Sequence, residues 1–192
     1  MNKQNNYHTI ISLVQDKPGV LARVASLFRR RGFNIASLAV GHSEELGLSR
    51  MTFVVEGDQY TVDQATKQLD KLVDVIKVSD ITDADVVARE LALIKVSTSD
   101  ETRSKIIEIV QLFRAKIVDV GTKSLVIETT GEEGKVNALI ELLEPFTITE
   151  LMRTGRVAMV RGKATGETSD DYSINAIDGN KSRALAREVG SY

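Results

Sequence analysis

The most constraining feature of this sequence is an order of strand-like and helix-like segments that occurs twice within 192 residues. Apolar residues that alternate with period two predict strands, and apolar residues three or four apart predict helices. Between residues 7 and 160, each half of the chain has the order βαββαβ. In this split βαβ pattern, two helices cover one face of an antiparallel sheet. The sequence therefore predicts an α+β fold of two tandem ferredoxin-like units.

Turn and cap residues mark the segments of the first half. A β-rich run at 8–15 ends at the Asp-Lys-Pro-Gly turn 16–19, and a helix follows this turn. Gly32 stands where a C′ glycine would end that helix. Thr61 and Gln64 predict a capping box at the start of the second helix. The predicted strands are 8–15, 34–40, 50–56 and 75–81.

The second half has the same order with different residues. Thr98 with Glu101, and Thr130 with Glu133, predict capping boxes at the starts of its two helices. Pro145 prevents the second of these helices from continuing. The predicted strands are 91–97, 117–120, 125–129 and 148–153, with 157–160 as an extension of the last.

These segments predict two domains, at 5–82 and 83–160, followed by a polar tail at 161–192. The tail is rich in Gly, Ser and Asp and lacks periodicity, which indicates a mobile segment with at most a short helix at 182–189. Units of about 80 residues are marginally stable alone. A two-layer unit also leaves one sheet face and two sheet edges bare. We therefore expect a homodimer or a higher homo-oligomer.

Composition excludes several classes of function. The chain has 25 Lys and Arg against 27 Asp and Glu, so its net charge of -2 gives no overall basic field for nucleic acid or anionic lipid. It has no Cys and only two His, and no catalytic or metal-binding constellation is visible. No apolar run is long enough to cross a membrane and the N-terminus is polar, so we expect a cytoplasmic protein.

The turn at 16–19 is the most informative motif. It lies where a strand ends and a helix begins, and the backbone N–H groups of a first helical turn can bind a carboxylate. Gly19 lets a ligand approach the backbone closely, and Asp16 could meet a ligand ammonium. Taken alone, these residues are better explained by ordinary turn chemistry.

The position of Asn34 relative to this turn limits how both could bind one ligand. It follows the helix that begins after the turn, so Asp16 and Asn34 are predicted to lie about 20 Å apart at opposite helix ends. One amino acid cannot touch both within a single chain. Two copies packed antiparallel through this helix and the neighbouring strand edge would bring Asp16 of one chain near Asn34 of the other.

Other candidate residues give weaker signals. His8 and His42 are predicted to lie on a strand start and in a turn, without a matched acidic or nucleophilic partner, so a packing or surface role is favoured for both. The arginines at 29–31 suit the negative end of a helix dipole. An RNA-binding sheet would need several exposed aromatic residues. The strand at 50–56 offers only Phe53, which is predicted to share a face with the apolar residues Met51 and Val55.

Several runs resemble the small regulatory subunit family of acetohydroxyacid (acetolactate) synthase, in order over about residues 7–162. The runs are DKPGVL at 16–21, RGFNIASL at 31–38, LSRMT at 48–52, QLDKLVDV at 68–75 and RELALIKV at 89–96. The resemblance implies that the first unit is an ACT domain for effector binding and dimerisation. It implies that the second unit serves assembly and contact with a large subunit.

The same resemblance implies a non-catalytic subunit that activates a thiamine-diphosphate-dependent large subunit and confers feedback inhibition by valine or another branched-chain amino acid. Thiamine diphosphate, Mg and FAD are expected on the large subunit, with no cofactor or metal in this chain. The implied effector contacts are Asp16, Lys17, Pro18, Gly19, Val20 and Leu21 of one chain with Asn34 and Ile35 of the other. The alternatives are a free-standing ACT-type amino-acid sensor that regulates another enzyme, and an enzyme in its own right.

Overall fold

The computed structural model describes residues 7–162. They divide into two compact units, one formed by the chain up to Val87 together with the segment from Ala158, the other by Ala88–Val157. Each unit has the βαββαβ order, so the predicted α+β fold of two tandem ferredoxin-like units is confirmed. The predicted tail lies outside the described residues except for its first two residues, and so does the short helix at 182–189.

The first unit is a four-stranded antiparallel sheet with two helices. Its strands have the order β2-β3-β1-β4, so β1 is central and β2 forms one edge. In chain order its elements are β1 (Tyr7–Gln15), α1 (Val20–Arg31), β2 (Asn34–His42), β3 (Leu48–Glu56), α2 (Gln59–Leu69) and β4 (Val75–Asp80).

The second unit has the strand order β6-β7-β5-β8, and these pairs are also antiparallel. The segment predicted to extend the last strand is a separate strand, β9, which pairs with β5 instead. The elements are β5 (Val86–Ser97), α3 (Asp100–Leu112), β6 (Lys116–Val120), β7 (Ser124–Gly131), α4 (Glu133–Leu143), a 3-10 turn (Glu144–Phe146) and β8 (Ile148–Arg153). Strand β9 (Val157–Val160) follows them, and its residues from Ala158 onward belong to the first unit.

The core of the first unit lies between its sheet and its helices. Met51, Phe53 and Val55 all contribute to it, which confirms the predicted alternation of β3. Phe53 stacks on Phe28 of α1 with ring centroids 5.4 Å apart. Burial of such a side chain contributes about 1.5–3 kcal/mol. Phe53 is fully buried, so it cannot stack on a nucleic-acid base.

The opposite faces of the two sheets differ in exposure. In the first unit Ile11 and Leu13, which alternate with core residues of β1, are only 3% and 1% exposed. The expectation of a bare second face is therefore wrong at these two positions of the first sheet. In the second sheet Leu93 and Met152 pair across β5 and β8 and remain 38% and 69% exposed.

The predicted capping boxes are displaced from the helix starts that the structure shows. Helix α2 begins at Gln59 with Asp58 as its N-cap, and the Asp58 Oδ1 accepts from the Thr61 backbone N–H at 2.8 Å. Thr61 is therefore inside the helix. Helix α3 is capped reciprocally by Ser99 and Thr102, and α4 begins after Glu132 without a side-chain cap.

The cap of α2 gives a stability prediction. Hydrogen bonds from the Thr61 hydroxyl and then its backbone N–H hold the pKa of Asp58 below its usual value. A carboxyl pKa that folding lowers stabilises the fold above the unfolded pKa of about 3.9, and this contribution is lost as the pH falls through the folded pKa. We expect Asp58→Ala to lower the urea midpoint at pH 7 and to differ less from wild type at pH 3.

Asp58→Asn is the matched control for this prediction. Its amide oxygen still accepts from Thr61 but does not titrate, so its midpoint is expected to lie near wild type at pH 7. Denaturation curves of the three proteins at both pH values measure the effect. If the difference in urea midpoint between wild type and Asp58→Ala is the same at pH 7 and pH 3, the prediction is contradicted.

Candidate functional site

The turn between β1 and α1 is exposed and ends in a left-handed glycine. Gly19 has φ 86 and ψ -8, a conformation that L side chains rarely adopt. It is the N-cap of α1, and no side chain caps this helix. The Val20 N–H donates to the Lys17 carbonyl at 3.3 Å. Within residues 7–162 no group accepts from the next two amides, those of Leu21 and Ala22.

An arginine lies beside this turn. A Cβ placed on Gly19 would stand 3.4 Å from the Arg23 Nη1. The Arg23 Nε donates to the Asp74 Oδ2 at 2.6 Å, and the Asp74 side chain is 10% exposed. The turn is tied to the same segment because the Gln15 N–H donates to the Asp74 carbonyl at 2.8 Å. Sequence reasoning missed both residues, since Arg23 and Asp74 are 51 positions apart.

Asp16 has a histidine neighbour that the sequence did not indicate. The His42 Nδ1 lies 3.0 Å from the Asp16 Oδ2, and both side chains are exposed. The prediction that His42 lacks an acidic neighbour is therefore wrong. The cause is strand order, because Gln15 pairs with Leu48 and places the end of β1 beside the β2–β3 turn.

Asn34 lies at the other end of the first sheet. Its Nδ2 donates to the Glu56 Oε2 at 2.8 Å. Gln15 is paired with Leu48 and Asn34 with Glu56, so the two predicted halves are separated by the length of β3. Eight residue steps of ~3.3 Å correspond to about 26 Å. Within one protomer the structure does not bring Asp16 and Asn34 together.

The remaining predicted contacts differ in what they present to a ligand. Lys17 and Pro18 are exposed in the turn, and Leu21 is 45% exposed. Ile35 is half-buried and packs against the first core. Val20 is 3% exposed and belongs to that core. Its side chain is therefore not available to a ligand at the turn.

The second unit has the same elements but no equivalent turn. Its first helix, α3, is capped by Ser99, whose side chain accepts from the backbone of Thr102. The arginine that corresponds to Arg23 is Arg103, four residues after the N-cap. Its Nη2 donates to the carbonyls of Gly121 and Thr122 at 3.0 and 2.8 Å. Within residues 7–162, the first unit thus has an uncapped first helical turn next to an arginine whose Nη groups donate to no described residue.

Between residues 7 and 162, no group of three or more His, Cys, Asp or Glu side chains is placed to hold a metal ion. No helix in that range is both long and apolar enough to span a membrane.

Comparisons with known proteins agree on one family. Residues 10–77 match the family described as AHAS small subunit-like ACT domain, and residues 89–162 match the family described as small subunit of acetolactate synthase. A probable acetolactate synthase small subunit from Archaeoglobus fulgidus is 59% identical over 155 residues, covering 81% of this chain and 97% of that protein. The chain belongs to the acetolactate synthase small-subunit family.

Other members of the family support the same assignment. The acetolactate synthase small subunit of Mycolicibacterium smegmatis is 56% identical, covering 81% of this chain and 91% of that protein. The crystal structure of the acetolactate synthase small subunit from Thermotoga maritima is 46% identical with a TM-score of 0.77, over 82% of this chain and 99% of that one. The chain is thus a regulatory small subunit with an ACT domain.

Membership in this family bears on the candidate site and on the alternatives. Every predicted effector residue lies within the ACT segment at 10–77. The match of residues 89–162 to acetolactate synthase small subunits favours a subunit of that enzyme over a free-standing amino-acid sensor.

Proposed function

We propose that this chain activates the large catalytic subunit of acetolactate synthase and makes it sensitive to feedback inhibition by valine or another branched-chain amino acid. The chain itself is proposed to be non-catalytic, with thiamine diphosphate, Mg and FAD held by the large subunit in the cytoplasm. The observation that carries the proposal is the uncapped start of α1 behind the left-handed Gly19. It offers backbone donors to a carboxylate at the positive end of a helix.

The proposed effector site is shared by two protomers. The turn at 16–21 and the pair Asn34 and Ile35 are separated by about 26 Å in one chain, from eight strand steps. Strand β2 is an edge strand of the described sheet, and an edge strand can pair with a second copy. Antiparallel pairing of two β2 edges, with the α1 helices alongside, would bring each turn to the partner's Asn34. A homodimer is therefore the smallest assembly that contains a complete site.

Each part of the amino acid has a proposed partner. The carboxylate accepts from the amides that follow Gly19, and the ammonium lies between Asp16 and Asn34. In the protomer Asp16 interacts with His42, and Asn34 interacts with Glu56. The ligand ammonium must therefore displace these partners or bind in addition to them. The apolar side chain packs against the exposed Leu21 and the half-buried Ile35, because the Val20 side chain is in the core.

The magnitude of regulation follows from this arrangement. An effector shifts activity only by its differential affinity for two arrangements of the dimer, typically ~1–3 kcal/mol. Discrimination between valine and its larger homologues depends on about one methylene, itself ~1–3 kcal/mol. We therefore expect partial selectivity among the branched-chain amino acids. The proposed ACT domain at 5–82 carries this response, and the domain at 83–160 contributes to assembly and to contact with the large subunit.

Gly19→Asp tests the carboxylate site. The new carboxylate would stand near Arg23 and repel the ligand carboxylate, so the valine concentration for half-inhibition of the reconstituted enzyme is expected to rise at least ~10-fold, or ~1.4 kcal/mol. Activation of the large subunit is expected to persist. Gly19→Asn is the control, since Asn is nearly as large, tolerates positive φ better than most residues and carries no charge. Retained valine inhibition in Gly19→Asp would contradict the site.

A mixed assembly tests whether the site is shared. Gly19→Asp and Asn34→Ala homodimers are each expected to be insensitive to valine. In a two-fold heterodimer of the two variants, one site carries both substitutions and the other carries none. After random mixing about a quarter of all sites are then intact, and partial valine inhibition should return. If each site lay within one protomer, every site would remain altered and no inhibition would return.

A further inference from the structure

The first helix carries an arginine whose charge the proposed effector site does not use. The Arg23 guanidinium is held through its Nε by the Asp74 carboxylate at 2.6 Å. Its Nη1 lies 3.4 Å from the position of a Cβ on Gly19. The guanidinium therefore lies beside Gly19, the N-cap of α1, and the Leu21 and Ala22 amides that follow it donate to no group within residues 7–162.

The Nη groups of Arg23 are available for a ligand. A guanidinium has five N–H donors, four of them on the two Nη atoms. Within the described residues the only acceptor of Arg23 is Asp74, which uses the Nε. The arginine at the same position of the second unit, Arg103, donates its Nη2 to two backbone carbonyls instead. The two units thus share an arginine but differ in whether its Nη donors are satisfied.

Asp74 fixes the orientation of this arginine. Its side chain is 10% exposed and Arg23 is its ion-pair partner. A buried carboxylate is costly without such a partner, so the pair keeps the guanidinium beside the turn before any ligand arrives. A donor that is already in place loses little conformational entropy when it binds.

We propose that Arg23 binds the carboxylate of the effector through its Nη groups, and that Asp74 is the residue that positions it. This inference rests on the proposed function for the class of ligand, an α-amino acid. The carboxylate would then accept charge-assisted bonds from Arg23 and neutral bonds from the Leu21 and Ala22 amides, and the charge-assisted bonds are the stronger. Recognition consequently depends on a charged carboxylate, and the uncharged amide of valine binds poorly.

The test is calorimetry of the full chain with valine and with valinamide, in which an amide replaces the carboxylate. Removing Arg23 alone would leave Asp74 buried and unpaired, so the main variant is the double substitution Arg23→Gln with Asp74→Asn. It is expected to bind valine at least ~10-fold more weakly than wild type, the loss of one charge-assisted bond. Its affinity for valinamide is expected to fall by a smaller factor than its affinity for valine, because the uncharged amide carbonyl accepts a weaker bond from Arg23 than the carboxylate does.

Two single variants complete the design. Arg23→Lys keeps a cation beside Asp74 but loses the planar fork of donors, and it is expected to bind valine several-fold more weakly. If the double variant does not fold, the valine affinity of Arg23→Lys tests the role of Arg23 in its place. Arg103→Gln is the matched control at the same position of the second unit, and its valine affinity is expected to be that of wild type.

The outcomes separate this inference from the proposed function. If wild type binds no branched-chain amino acid, the proposed function fails. If wild type binds valine and the folded double variant, or Arg23→Lys in its place, binds with unchanged affinity, only the role of Arg23 is overturned. Equal binding of valine and valinamide to wild type, or equal loss of both in the double variant, also overturns it.

Discussion

The position of β1 at the centre of the first sheet determines the geometry of the candidate site. Its last residue, Gln15, donates its N–H to the Asp74 carbonyl, and the next N–H, that of Asp16, donates to the Gly47 carbonyl, both at 2.8 Å. These two bonds hold the β1–α1 turn against the β2–β3 turn and the α2–β4 turn at one end of the sheet. Because these turns meet there, the Asp16 and Asp74 carboxylates lie near the Arg23 guanidinium and the backbone amides at the start of α1.

The length of the same elements explains why regulation would require assembly. A strand and a helix of this size place the two predicted halves of the site at opposite ends of the unit. A small amino acid cannot bridge them in one chain, whereas an antiparallel pair of chains brings unlike ends together. Because the site would contain residues of both chains, effector binding would depend on how the two chains are arranged. A subunit that transmits feedback requires such coupling.

The two units show how one fold can support different roles. Both begin with a strand, a turn and a helix, but α3 is capped by Ser99 whereas α1 begins at an uncapped glycine. A side-chain cap satisfies the amide that a ligand would otherwise bind. Arg103 likewise donates its Nη2 to two backbone carbonyls, whereas the Arg23 Nη groups donate to no residue in the described range 7–162. Ligand binding in this fold therefore depends on which helix-start amides and arginine N–H groups have no hydrogen-bond acceptor within their own unit.

Local patterns correctly predicted the order of elements, the alternation of β3, the C-terminal glycine of α1 and the turn at 16–19, because period and turn chemistry act over a few residues. They misplaced the helix caps, where Asp58 and Ser99 stand instead of Thr61 and Thr98, since neighbouring polar residues compete for the same role. The contacts of His42 with Asp16 and of Asp74 with Arg23 could be found only in the folded chain. Those contacts follow from strand order, which joins residues that no local pattern relates.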